Sequence, residues 1–143
     1  MSEAALWKHV RDAVGHRGHF ARLEFNPEAG IPDVDFCVKS CEGKMELKHV
    51  NAAPKRVSTA VFGEKKGLRP SQIAWITTRV RHGGRVWILA RVKFRMFLIA
   101  GSYAIQFNDM TFHALEKTAA WTADRPITGA DWETFLLVIR RTT

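Results

Sequence analysis

Gly30-Ile-Pro-Asp-Val-Asp-Phe-Cys-Val38, followed after a short gap by Lys44-Met-Glu-Leu-Lys48, is the stretch on which the fold turns. After its Gly-Pro punctuation the first run alternates. Asp33 and Asp35 point to one face and Val34, Phe36 and Val38 to the other, as the two-residue period of a strand requires. The second run places Glu46 and Lys48 on one face and Met45 and Leu47 on the opposite one, and Ser40-Cys-Glu-Gly43 offers the residues of a hairpin loop. Antiparallel pairing across that loop brings Asp33 or Asp35 to Glu46 and Lys48. Which aspartate arrives depends on register, because a bulge or a one-residue slip exchanges the two.

Two carboxylates on rigid strands have the chemistry to hold Mg²⁺ through a few oxygens while leaving room for water and a phosphate. A lysine beside them can orient or deprotonate the attacking water, or offset charge on the phosphate. The same residues also suit the solvated face of an amphipathic hairpin, with cross-strand ion pairs worth about 0.2–1 kcal/mol each.

Gly30-Ile-Pro-Asp33 with Glu46-Leu-Lys48, 13 residues apart from Asp33 to Glu46, resembles the PD-(D/E)XK nuclease signature. The form is that of the VRR-NUC branch and of small phage nucleases, Holliday junction resolvases among them. The resemblance covers roughly residues 1–92 and is strongest over 30–48. It implies an α/β fold with a restriction-endonuclease-like core, a mixed central β-sheet flanked by helices in the order αβββαβ. It also implies a divalent-metal-dependent DNA endonuclease, with Asp33 and Glu46 as ligands of Mg²⁺ or Mn²⁺ and Lys48 beside the attacking water. Asp35 is the alternative to Asp33. Nucleases of this kind often carry an acid on the first helix, here Glu3, and a glutamine on the helix after the Glu-x-Lys strand, here Gln72. Those that resolve branched DNA act as two-fold dimers. A rival from another class is a non-catalytic nucleic-acid-binding module with the same fold and a basic surface.

Length and composition set the frame. A chain of 143 residues, 46% hydrophobic, suits one domain over 1–143 with a single continuous core. The formal net charge of +8 points to a partner with dense negative charge, nucleic acid first. No run approaches the roughly 18 apolar residues of a membrane span, and Met1-Ser-Glu-Ala lacks the basic start and apolar block of a signal peptide. A cytoplasmic protein, of a bacterial or phage-infected cell, is expected. Cys37 and Cys41 fit reduced thiols near a turn, and the spacing of His16, His19 and His49 matches no common zinc pattern.

The remaining elements follow from periodicity. Ser2 suits an N-cap, and Leu6, Val10, Ala13 and Val14 predict a helix over about 3–15. Glu3 falls in line with its buried stripe, a position also explained by the helix dipole. His19–Phe25 predicts a first strand and Asn26–Gly30 a loop. Residues 51–69 lack a clean period and carry Lys55, Arg56, Lys65, Lys66 and Arg69, which suits either phosphate contacts or a solvated loop. Pro70 opens a helix over about 70–82, with Ile73, Ile76 and Val80 inward and Gly83-Gly84 ending it. Arg85–Val92 predicts a central strand. Phe94–Ile99 and Tyr103–Phe107 suggest a further hairpin around Ala100-Gly-Ser102, although the first could be helical. Asn108–Arg125 is ambiguous, with Phe112, Leu115 and Trp121 expected over one sheet face. Thr128 opens a last helix with Trp132, Phe135, Leu136 and Ile139 as its stripe. The segment Phe94–Phe112 carries apolar residues on both faces, which suits either a homodimer interface or cover by the last helix within one chain.

Overall fold

Val34–Val38 (β2) and Cys41–Val50 (β3) form the antiparallel hairpin that the alternating residues require, with Val34 opposite Met45 and Asp35 opposite Lys44. These are the residues of a computed structural model that describes positions 2–23 and 29–143. The turn is tighter than Ser40–Gly43. Val38 pairs with Cys41, so only Lys39 and Ser40 remain in the loop, with φ of 51° and 67°. Such a two-residue turn matches strand twist and is usually signalled by Asn-Gly. Gly43 instead lies within β3, opposite Phe36, where a Cβ would come within 2.4 Å of the Phe36 ring. Its lack of a side chain makes room for an aromatic ring, not for a bend.

Around this hairpin the sheet grows by neighbours in chain order, β1 through β6. His19–Arg22 (β1) pairs antiparallel with β2. The expected end of that strand at Phe25, and most of the loop after it, fall outside the described residues. Val86–Val92 (β4) lies parallel to β3, which makes the sheet mixed and demands a crossover. Residues 51–85 supply it, with a single turn of helix, Gly63–Lys66 (α2), and a full helix, Pro70–Arg81 (α3). Arg95–Ala100 (β5) and Trp121–Ala123 (β6) complete the sheet antiparallel.

Helices cover both faces. Glu3–Val14 (α1) and Gly129–Val138 (α6) pack on one, where Leu6, Val10 and Val14 meet Val34, Phe36, Met45, Leu47, Trp87 and Phe135. The other is covered by α3, Ala104–Phe107 (α4) and Phe112–Thr118 (α5), which bury Ile76, Ile88, Phe97, Ile99, Phe107 and Leu115. Every residue of β4 is buried, as a strand covered on both faces should be. The molecule is thus α/β, a six-stranded mixed sheet between helices. Among the described residues no helix is long and apolar enough to cross a membrane.

A further expectation is corrected. Tyr103–Phe107 is no strand: a 3-10 turn at Gly101–Tyr103 leads into α4. Both edges of β5 are already taken, by β4 and β6, and coiling lets Ala104 and Phe107, three apart, bury together. The apolar surplus of Phe94–Phe112 is likewise absorbed within the chain. Met96 and Leu98 pack with Trp132 and Phe135 of α6, while Phe97 and Ile99 pack with Phe107 and Leu115. Tyr103 and Ile105 of the same segment remain exposed.

The crossover is irregular but anchored. Val61 and Phe62 are buried, Val61 N–H donates to the Met110 carbonyl at 3.0 Å, and Asn108 accepts from Leu68 N–H at 2.7 Å while donating to the Leu68 carbonyl at 2.8 Å. At the other approach to the hairpin, Gly30 has φ of 73°, and a Cβ there would sit 2.1 Å from the Ser71 carbonyl in the first turn of α3. Both the left-handed backbone and the close approach exclude a side chain. Gly30→Ala is expected to lower stability by about 1–3 kcal/mol, measured by urea denaturation, because Asp33 and α3 would be pushed apart.

Candidate active site

The site begins where β2 stops short of β3. β2 pairs no further than Val34 with Met45, whereas β3 continues to Val50 beside β4. Beyond that last pair, the Asp33 carboxylate accepts the Leu47 backbone N–H at 3.1 Å, so a side chain takes over where the strand ladder ends. The register settles the choice between the aspartates. Asp35 lies opposite Lys44 and is paired to its ammonium at 2.8 Å, one step along the strand from Glu46. Asp33 stands at Glu46 and Asp35 does not.

Glu46 projects from β3 beneath the start of α3 and is 1% exposed. Gln72, 3% exposed, donates its Nε2–H to Glu46 Oε2 at 2.8 Å. Gln72 occupies the third position of α3, and its Oε1 accepts the Arg69 backbone N–H at 2.9 Å, as a capping glutamine does. Satisfying that helix-end donor fixes the amide and hence its second contact. Glu46 Oε1 is buried and, among the described residues, has no hydrogen-bond partner. Burial foremost, with the Asp33 charge and Glu3 adding, pushes the Glu46 carboxyl up to about 8, although Lys48 works the other way.

Lys48 lies on the same face of β3, 6% exposed, with Nζ 3.4 Å from Glu46 Oε2 and 3.9 Å from Glu3 Oε1. Glu3 reaches it from the first turn of α1, which Ser2 caps by accepting the Ala5 N–H at 3.1 Å. Burial raises the Glu3 carboxyl above its usual range, opposed by Lys48 and reinforced by Asp33, with Arg22 and Arg69 also acting to lower it. The structure thus gathers Glu3, Asp33, Glu46, Lys48 and Gln72 at one end of the sheet. Sequence reasoning passed over Arg22 and gave Arg69 only to the loop. The place of Arg69 three residues before Gln72, at the mouth of α3, was the available signal.

The donor set is carboxylate oxygen throughout, which suits Mg²⁺ or Mn²⁺ rather than a thiolate-seeking ion. A buried carboxyl oxygen lacking a donor is what a cation would satisfy. Among the described residues no three His, Cys, Asp or Glu side chains are already drawn together to metal-binding spacing. The ammonium of Lys48 is the cation next to Glu46 and Glu3. Cys37 and Cys41 are free and flank the Lys39-Ser40 turn.

No protein-family model matches the chain, and comparison with curated proteins gives no match.

The Glu46 proton has a thermodynamic consequence. Below pH 4.5 folded and unfolded chains both hold it; from 4.5 to about 8 only the folded chain does; above that neither does. The unfolded state then binds fewer protons, so stability falls as pH rises through that window, by up to about 1.4 kcal/mol per unit. Glu46→Gln removes the loss. Its melting temperature is expected to exceed that of the wild type by a margin that opens between these two values and then levels off, measured by scanning calorimetry across the range. Millimolar Mg²⁺ near pH 8 is expected to raise the wild-type melting temperature and leave the variant unmoved.

Proposed function

We propose that the chain is a divalent-metal-dependent DNA endonuclease with a restriction-endonuclease-like, PD-(D/E)XK core. The single observation that carries this is Glu46, buried, pinned through one oxygen by Gln72 and unpartnered at the other, with Asp33 and Lys48 beside it. A merely structural ion pair would have no reason to keep an unsatisfied carboxyl oxygen inside the protein, since that costs about 1–3 kcal/mol or more. The order α1, β1, β2, β3, α3, β4 agrees with the αβββαβ core, α2 being one turn within the crossover.

In this reading Asp33 and Glu46 would hold Mg²⁺ or Mn²⁺, with Glu3 as the third acid. Such an ion polarises the phosphoryl oxygen and acidifies a bound water. The chain's own groups do the rest. Gln72 holds Glu46 by Oε2 and leaves Oε1 as the oxygen that would be offered to an ion. Glu46 must give up its proton to serve as a ligand, which couples metal uptake to proton release. Lys48 steadies the water whose oxygen forms the new P–O bond, and offsets charge on the phosphate as the opposite P–O bond to the sugar breaks. Lys55, Arg56, Lys65 and Lys66 are exposed on the anchored crossover that continues from β3, placed to grip neighbouring phosphates without reading sequence. One such site cuts one strand at a time, so paired cuts in branched DNA would need a two-fold pair of chains or two visits by one.

Asp33→Ala and Glu46→Ala are each expected to abolish Mg²⁺-dependent cleavage of labelled linear and branched DNA while leaving binding largely intact. Lys48→Ala is expected to lose most of the rate yet keep its calorimetric Mg²⁺ affinity. Retained metal-dependent cutting in either carboxylate variant refutes Asp33 and Glu46 as the metal site, and binding without turnover in the wild type assigns the chain to the non-catalytic modules. Replacing Lys55, Arg56, Lys65 and Lys66 together by alanine is expected to flatten the slope of log affinity against log salt by about 2–4, checked by fluorescence anisotropy. An unchanged slope leaves the loop as solvated surface.

A further inference from the structure

Arg91 lies on the opposite face of the sheet from Glu46, where Trp87 and Leu89 of the same strand fill the core. It is 3% exposed. Burying a guanidinium is costly unless an anion compensates it, and among the described residues no carboxylate pairs with this one. Its contacts are to neutral acceptors: Nε donates to His49 Nδ1 at 3.1 Å, and Nη2 reaches the Ser2 carbonyl at 3.5 Å. His49 in turn bonds Asn51 through Nε2 at 2.9 Å, so it faces Arg91 as an uncharged ring.

Arg91 also lines a pocket of about 360 Å³, together with Arg125, His9, Phe94 and Met96. That volume falls within the usual range of ligand pockets, about 300–1,000 Å³. Arg125 lays its guanidinium over the Phe94 ring, 3.7 Å from the centroid, a stacking that leaves its in-plane N–H donors available. Among the described residues no acid lines the pocket. The nearby carboxylates are engaged elsewhere: Asp12 with Lys8 at 2.7 Å, and Asp124 with Arg95 at 3.8 Å and with the backbone N–H of Arg125 at 2.7 Å. Arg91 could serve only to pin the start of α1 through Ser2. A bond to an uncharged imidazole at 3.1 Å and a long contact at 3.5 Å would then be its whole return for desolvation, and the convergence of Arg125 and His9 would be left without a reason.

We propose that this pocket binds a phosphate-class oxyanion, gripped by Arg91 and Arg125 with His9 at its edge and with Phe94 beside any nucleoside the phosphate carries. It is separate from the carboxylate site and adjoins it through α1, where Ser2 contacts Arg91 and the adjacent Glu3 contacts Lys48, and through β3, where His49 bonds Arg91 next to Lys48.

The test is calorimetric titration of the full, metal-free chain with inorganic phosphate and with adenosine 5′-monophosphate, at ionic strength matched with chloride. Saturable uptake of one anion per chain is expected, weakened at least about tenfold in Arg91→Met and in Arg125→Gln and unchanged in Lys117→Ala, which alters an exposed lysine of α5. Arg91→Met keeps the volume and removes the buried charge, so it is expected to fold, as near-ultraviolet circular dichroism will report. Arg125→Gln alters an exposed side chain and keeps the test decisive should the first variant fail to fold. Tighter uptake of the mononucleotide points to a nucleotide end in the pocket, and equal uptake to a free oxyanion; both support the site. No saturable heat from either probe, or wild-type affinity in Arg125→Gln, overturns it. Neither metal nor cleavage enters the measurement, so its failure leaves the nuclease proposal untouched.

Discussion

Glu46 keeps an ionisable group inside the protein against the preference of any carboxylate for water, and the surrounding elements are placed to sustain it. β3 carries it beneath α3, the capping requirement of α3 orients Gln72 onto its Oε2, and Lys48 two residues along the same strand supplies opposite charge. Asp33 ends the β2 ladder by taking the Leu47 N–H, and Gly30 permits the chain before it to lie against α3 without a side chain between. Each contact is an ordinary backbone necessity. Their sum is a carboxyl oxygen without a donor, on a group whose pKa burial pushes up to about 8, beside two further acids and a lysine.

Most of this was legible because strand alternation leaves little freedom. Once Asp33 and Glu46 sit on facing strands with Val34 and Met45 opposite one another, their side chains must share a face, and Gln72 follows from its position in the first turn of a helix that Pro70 announces. The turn was misplaced because Lys39 and Ser40 hold positive φ without the glycine or asparagine that normally marks it, while Gly43 gave that signal from inside a strand for a packing reason. Tyr103–Phe107 misled for a different cause. Its aromatic and branched residues suit a strand locally, but the edge it would have joined belongs to β6, a long-range fact that no local pattern carries.

Arg91 illustrates what remains invisible in sequence. In Arg85–Val92 it reads as one polar residue near a strand's end, and only the packing of α1 and the approach of Arg125 from beyond β6 enclose it. The distinction between a surface cation and a buried one is made by elements more than thirty residues away.

The parallel pairing of β3 with β4 has a bearing on how the chain reaches this state. The β2–β3 and β4–β5 hairpins close short loops, whereas the β3–β4 pairing must first close the whole of residues 51–85, and non-local closures are the slow ones in folding. Until that crossover docks, α3 does not cover Glu46, and the carboxyl ionises as it would in water. Docking must then strip solvent from a charge or wait for a proton, so the barrier to completing the sheet rises with alkalinity. The refolding rate, not only the final stability, carries the imprint of one buried acid.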